Sequence, residues 1–269
     1  MSPRAAHRRV AHPFRLPAVA AAACAAAVAT SGPALASPSG ANGVGSLPAA
    51  KILARSARAL AARTAIDVAG SIGIAGEGVS FDVRSAARGR DVAGTITTRA
   101  GGKVIGPIRF VALPGTVYLD APAAFWRQAI TSMKGAPTGA AATAAVSALS
   151  GTWIAVGGAQ ARTFTTGFGG LTEPGKFAQS LLSGAGSLAK HAPTIVRGQR
   201  AVPVVTGQGA TIYVALDGAP LPIEVRGTVA LGALSVSTVA AISYPATQHI
   251  VAPAGARSLA AVAGSAGAG

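Results

Sequence analysis

From Gly198 to Leu259 the chain reads as short runs of alternating apolar and polar residues punctuated by turn residues. Thr211-Ile212-Tyr213-Val214-Ala215-Leu216 leads into Asp217-Gly218-Ala219-Pro220, then Leu221 to Arg226 follows before a glycine-led strand from Thr228. Alternation at period two between turn signals predicts a β-meander with one apolar face. Such a face has to be covered by another layer. The rest of the chain offers few large side chains to cover it densely, which implies an internal cavity.

The N-terminus narrows where such a fold would work. A basic segment with Arg4, Arg8, Arg9 and Arg15 precedes a small-residue apolar stretch from Leu16 to Ala29, and Ala34-Leu35-Ala36 before Ser37 forms an A-x-A cleavage pattern. This reads as a secretory signal peptide over 1–36. A transmembrane anchor is the rival reading, but the run is Ala-dominated and interrupted by Pro33, short of the ~20 strongly apolar residues a span needs. Cys24, the only cysteine, sits in Ala21-Ala22-Ala23-Cys24 and is a candidate lipidation site, although Ala21 stands where a lipobox prefers Leu. No disulfide is available to the mature chain.

Cleavage after Ala36 leaves 233 of the 269 residues, enough for one domain with a substantial core, and removes four arginines and no acid, so the net charge falls from +15 to +11. A basic surface on an exported chain points to anionic neighbours such as lipid headgroups, an anionic membrane surface or an acidic cell wall. Nucleic acid is excluded as a partner because the Arg and Lys are scattered and not interleaved with aromatics.

Residues 37–48 are rich in Ser, Pro, Gly and Asn with no apolar period, which predicts a flexible linker with order beginning near Ala49. A single domain is expected over 49–260, with 261–269 as a disordered tail. Ile52, Leu53, Ala57 and Leu60, with Lys51, Arg55, Arg58 and Arg63 outside, predict an amphipathic helix over 50–62 with a basic face. Successive strands follow to Ala121: Val79, Phe81 and Val83 alternate with polar residues, then come Thr95 to Arg99, Ile105 to Leu113 and Thr116 to Leu119, with Gly101-Gly102 and Pro114-Gly115 as turns. Phe125, Trp126, Ile130 and Met133 are spaced for a helix, and the Ala-rich stretch 135–149 is a candidate lid, a plain connecting helix or a disordered insert. Past Trp153 and a short strand, Thr172-Glu173-Pro174 predicts a helix start, with Phe177, Leu181, Leu182 and Leu188 at helical spacing and Lys190 and His191 as C-terminal caps.

The sequence is poor in site chemistry. Gly170 to Lys176 begins like a phosphate loop, but Phe177 stands where Ser or Thr should bind magnesium, and Pro174 opens the helix too early. The mature chain keeps two histidines, no H-E-x-x-H helix, no G-x-S-x-G elbow and no metal-ligand cluster. Asp82, Asp120 and Glu224 sit on strands, where solvent-facing charges are expected. No catalytic residue, metal or cofactor is assigned, and the chain is not expected to be an enzyme.

The order of elements resembles a known family. The helix over 50–62, the strands holding Gly94-Thr95-Ile96 and Gly115-Thr116-Val117-Tyr118-Leu119, the Phe125-Trp126 helix, the Trp153 segment, the capped helix and the meander through Ala210 to Pro222 and Ile250-Val251-Ala252-Pro253 are similar to the actinobacterial lipoproteins of the LppX and LprG type. These share the half-barrel of the LolA lipoprotein carrier. The resemblance implies an α+β fold: a curved antiparallel open β-sheet of about 11 strands, with helices covering the concave face and an apolar cavity that receives acyl chains of lipids or lipoglycans. The segment 135–149 has no counterpart in that family's pattern, and the poor lipobox at Cys24 departs from it.

The expected function is therefore non-enzymatic binding and transport of an acyl lipid or glycolipid in the cell envelope, by a monomer. Phe81, Val83, Ile108, Phe110, Phe125, Trp126, Phe177 and Leu181 are the candidate cavity residues, with ordinary sheet-to-helix core as their other reading. Arg84, Arg109 and Arg127 are weaker candidates for greeting an anionic headgroup. The alternative is a structural or protein-interaction module of the envelope with a filled core and a basic binding surface.

Overall fold

The computed structural model describes residues 40–74, 77–132, 137–183, 186–231 and 234–266; the expected signal peptide and Cys24 lie outside them. Helix α1 (Ala49–Ala61) buries Ala49, Ile52, Leu53, Ser56, Ala57 and Leu60, a stripe at spacings of three and four, and leaves Lys51, Arg55 and Arg58 in solvent. Strands β1 (Ile66–Ile74), β2 (Glu77–Ala86), β3 (Asp91–Ala100), β4 (Lys103–Leu113) and β5 (Thr116–Asp120) follow as an antiparallel series. Helices α2 (Ala123–Thr131) and α3 (Gly139–Leu149) precede β6 (Ile154–Gly157), and then come α4 (Gly158–Thr172) and α5 (Pro174–Ser183). The second half is β7 (Leu188–Lys190), β8 (Thr194–Val196), β9 (Gln199–Thr206), β10 (Ala210–Ala215), β11 (Pro222–Leu231), β12 (Leu234–Ser243), β13 (Arg257–Ser258) and α6 (Leu259–Ala266).

The strands form one open sheet in the order β13-β6-β5-β4-β3-β2-β1-β12-β11-β10-β9-β7, with β8 also on β9. All pairings are antiparallel except the short β13 to β6 contact. Residues facing each other across antiparallel strands share a face, and the register aligns Val204, Ile212, Val225, Ala240, Gly70, Phe81, Ile96 and Ile108 in one apolar row across eight strands. In a flat sheet β9 and β4 would lie about 33 Å apart at ~4.8 Å per strand. Instead Val204, Phe81 and Phe110 belong to a single core with Ile52, Leu53 and Leu60 of α1. The sheet curls around its helices, as expected for the α+β class with an open antiparallel sheet.

A second cluster lies under α2, α3 and α6, where Ile108 and Ile154 of the sheet meet Trp126, Ile130, Val146, Leu149 and Val262. The Ala-rich stretch is thus partly helix α3, packed on α2 and α6. Buried Val262 ties down α6, so residues 261–266 are helical where a disordered tail was expected. The linker also needs correcting: from residue 40 the chain is docked, with Ala41 bridging to Asp217, the Asn42 amide donating to the Ala215 carbonyl at 2.9 Å and Val44 fully buried.

Three further expectations change. The helix from Thr172 ends at Ser183, and Leu188 to Lys190 pair with β9 instead, because an edge position on the sheet satisfies their backbone. His191 is accordingly no helix cap; its N–H donates to the Pro203 carbonyl at 3.0 Å. Strand β11 continues unbroken through Gly227, where a side chain would meet the Ala210 Cα at 2.7 Å. The glycine is there for close approach of two strands, not for a turn.

Candidate functional site

Strand β4 sets the site. Ile108, Phe110 and Ala112 alternate inward, while Arg109 points out. Phe110 lies opposite Gly94 of β3, and a Cβ at 94 would collide with the Asp82 carbonyl oxygen and come within 3.1 Å of the Phe110 ring. Glycine therefore lets the ring lie across β3. Above it Phe164 of α4 meets Phe110 edge-on, centroids 5.3 Å apart and planes at 67°.

Beside this aromatic pair a pocket of about 630 Å³ opens at the end of the sheet, between the β2–β3 and β4–β5 connections and the α4–α5 joint. Its size falls within the ~300–1,000 Å³ typical of small-molecule sites. Leu113, Pro114 and Phe164 give the pocket its accessible apolar surface, Val92, Phe110 and Ala112 lie behind it at 5%, 1% and 2% exposure, and Arg88, Arg90, Thr165, Thr166, Glu173 and Lys176 complete the lining. Helix α4 contributes Phe164, Thr165 and Thr166 to the lining, and the Thr165 hydroxyl turns back to the Ala161 and Arg162 carbonyls.

The eight sequence candidates divide between two places. Phe81, Val83, Phe110, Phe177 and Leu181 gather in the core under α1 and α5, while Ile108, Trp126 and Phe125 sit in the cluster under α2 and α3. Of the eight, Phe110 lines the pocket. Of the cationic candidates, Arg84 and Arg127 are exposed away from it, and Arg109 is engaged by Asp120 and stacks over the Trp153 ring. Phe164 was open to discovery from its place three residues after Ala161, a helical spacing. Arg88 and Arg90 carry no such signal, since only the three-dimensional path of the turn brings them to the pocket.

The outer face holds the remaining charge pairs. Asp120 and Glu224 are 4% and 3% exposed, each engaged by an arginine, Arg109 and Arg226. The expectation that they face solvent is corrected: the long arginine stems fold back over them, and Arg226 also covers the Tyr213 ring. Asp67, bonded to the Gln248 amide at 2.9 Å, has its pKa raised by burial, an effect the Gln248 bond opposes. Burial likewise raises the Tyr244 phenol well above its usual range, and its hydroxyl donates to the Pro222 carbonyl at 2.6 Å. Among the described residues no group of three or more His, Cys, Asp or Glu is placed to hold a metal, and no helix is long and apolar enough to cross a membrane.

Neither a protein-family model nor a curated protein matches the chain. Among solved structures it is similar to LprF from Mycobacterium bovis, at 14% identity and a TM-score of 0.44, over 77% of this chain and 97% of that one. It is also similar to an uncharacterized conserved protein from Thermus thermophilus, at 11% identity and a TM-score of 0.34, over 77% of this chain and 96% of that one. Neither likeness is close enough to bear on function.

Proposed function

We propose that the chain is a non-enzymatic carrier that binds an acyl lipid or glycolipid in the pocket beside Phe110 and Phe164, as an exported monomer of the cell envelope. The observation that carries this reading is the pocket itself: about 630 Å³ at the end of a curved sheet, with Leu113, Pro114 and Phe164 beside polar and charged side chains. Each buried ligand methylene contributes about 0.8 kcal/mol, so a chain of ten gains roughly 8 kcal/mol before the entropy of ordering it is subtracted. No polar recognition of the tail is needed. The signal-peptide pattern read from the sequence over 1–36 supports export, and the basic composition suits an anionic membrane from which lipid is taken.

One observation favours a second reading, an interaction module with a filled core: Phe81, Val83 and Phe177 are 8%, 2% and 3% exposed inside the main cluster and are not among the pocket residues. Native mass spectrometry with lipid extraction, on protein purified without detergent, separates the two. The carrier reading expects a stoichiometric acyl lipid. A clean apo mass, with no uptake of added phospholipid or glycolipid, would sink it in favour of the filled module.

A further inference from the structure

We propose that the pocket selects amphiphiles with an acidic headgroup, phosphate or carboxylate, which Arg88 and Arg90 hold at its mouth; this rests on the reading of the pocket as a lipid site. Strands β2 and β3 are joined by a tight 3-10 turn, Ala87–Gly89, with Ala87, Arg88 and Gly89 all left-handed at φ 49, 61 and 87. Side chains at the first two positions are disfavoured there, and such strain collects where geometry serves a site. The turn is pinned from two sides: the Arg88 N–H donates to the Thr64 carbonyl at 2.9 Å, and Arg90 Nε to the Ala87 carbonyl at 3.4 Å. Both arginines are exposed and both border the pocket.

Charge accounting at the mouth leaves them for a ligand. The ion pairs among the described residues are Arg109–Asp120, Lys176–Glu173, Arg200–Asp217 and Arg226–Glu224. Glu173, the one acid of the pocket lining, is occupied by Lys176 at 2.6 Å. Two arginines without a paired carboxylate therefore border a pocket whose accessible apolar lining is Leu113, Pro114 and Phe164. A guanidinium fork matches a phosphate or carboxylate in two parallel hydrogen bonds. Charged head at the mouth and tail against the wall is the order of an anionic amphiphile.

The test titrates the delipidated full chain with oleoyl lysophosphatidic acid, the matching neutral monoacylglycerol, and inorganic phosphate alone. The acidic probe is expected to bind at least about tenfold tighter than the neutral one, at low salt, and free phosphate is expected to compete for neither. Arg88→Gln with Arg90→Gln should erase the preference and spare the neutral probe, whereas Lys51→Gln with Arg55→Gln, the same charge change on the outer face of α1, should keep it. Arg88→Gly should weaken the preference while raising the thermal midpoint, because glycine tolerates φ 61. Equal affinity for the two acyl probes, or equal loss of preference in both double variants, overturns the proposal and leaves the lipid reading standing. Competition by free phosphate overturns it in favour of a simple anion site. Binding of neither acyl probe overturns the lipid reading and this proposal with it.

Discussion

Helix α1 presses Ile52, Leu53 and Leu60 into the sheet at 1% exposure or less, whereas α4, which crosses the same curved face, offers Ala161 and the part-buried Phe164. One helix seals the core and the other leaves a pocket beside it. The contrast is one of side-chain volume: α1 sets three large aliphatics against the sheet, which fill the space between layers, and over residues 158–166 α4 sets only Ala161 fully against it.

The comparison is most exposed to truncation. Leu60→Ala should lower the unfolding free energy by about 2–5 kcal/mol, measured by denaturant unfolding, while Phe164→Ala should lose less than half as much because that ring is only partly buried. Equal losses would mean that α4 is as tightly packed as α1. Enlargement gives the converse: Ala57→Leu, under α1, should destabilise by about 1–3 kcal/mol through overpacking. Thr166→Leu, at an exposed position of the pocket lining, should leave stability within about 0.5 kcal/mol yet reduce lipid uptake. Gly94→Ala belongs with the first group, at roughly 1–3 kcal/mol, since its Cβ would strike backbone and the Phe110 ring, and it should disturb uptake as well.

The smallest effect is on the outer face. Asp67 has a raised folded pKa, so its contribution to stability is full below its unfolded value near 3.8 and is lost as pH rises through the folded value. Asp67→Asn should therefore be neutral or slightly stabilising at pH 7 and flatten the stability profile in the acid range, with no change in lipid uptake.

Much of this architecture was readable beforehand, for physical reasons. The stripe Ile52, Leu53, Ala57 and Leu60 and the strands through Phe81, Ile105 and Thr116 carry the periods of their elements in the residues themselves. Helix α4 does not: Gly158, Thr163, Thr165, Thr166, Gly167, Gly169 and Gly170 are weak helix formers, and docking on β1, β2, β5 and β6 overrides their preference. The pocket was missed with it, since Phe164 belongs to α4 and Val92, Ala112, Arg88 and Arg90 meet only through sheet register and the turn after β2. Burial of Asp120 and Glu224 was hidden for a related reason, as it depends on cross-strand and neighbouring arginines. Leu188 misled because one leucine at helical spacing also suits a strand edge.

The most direct test places a ligand in the folded protein. With a fatty acid spin-labelled near its tail, amide and methyl NMR signals of Val92, Phe110, Ala112 and Phe164 should broaden most, and those of Ile130, Val146 and Leu149 under α2 and α3 should stay sharp. Broadening centred on the second cluster, or spread evenly over the surface, would contradict a lipid site beneath α4.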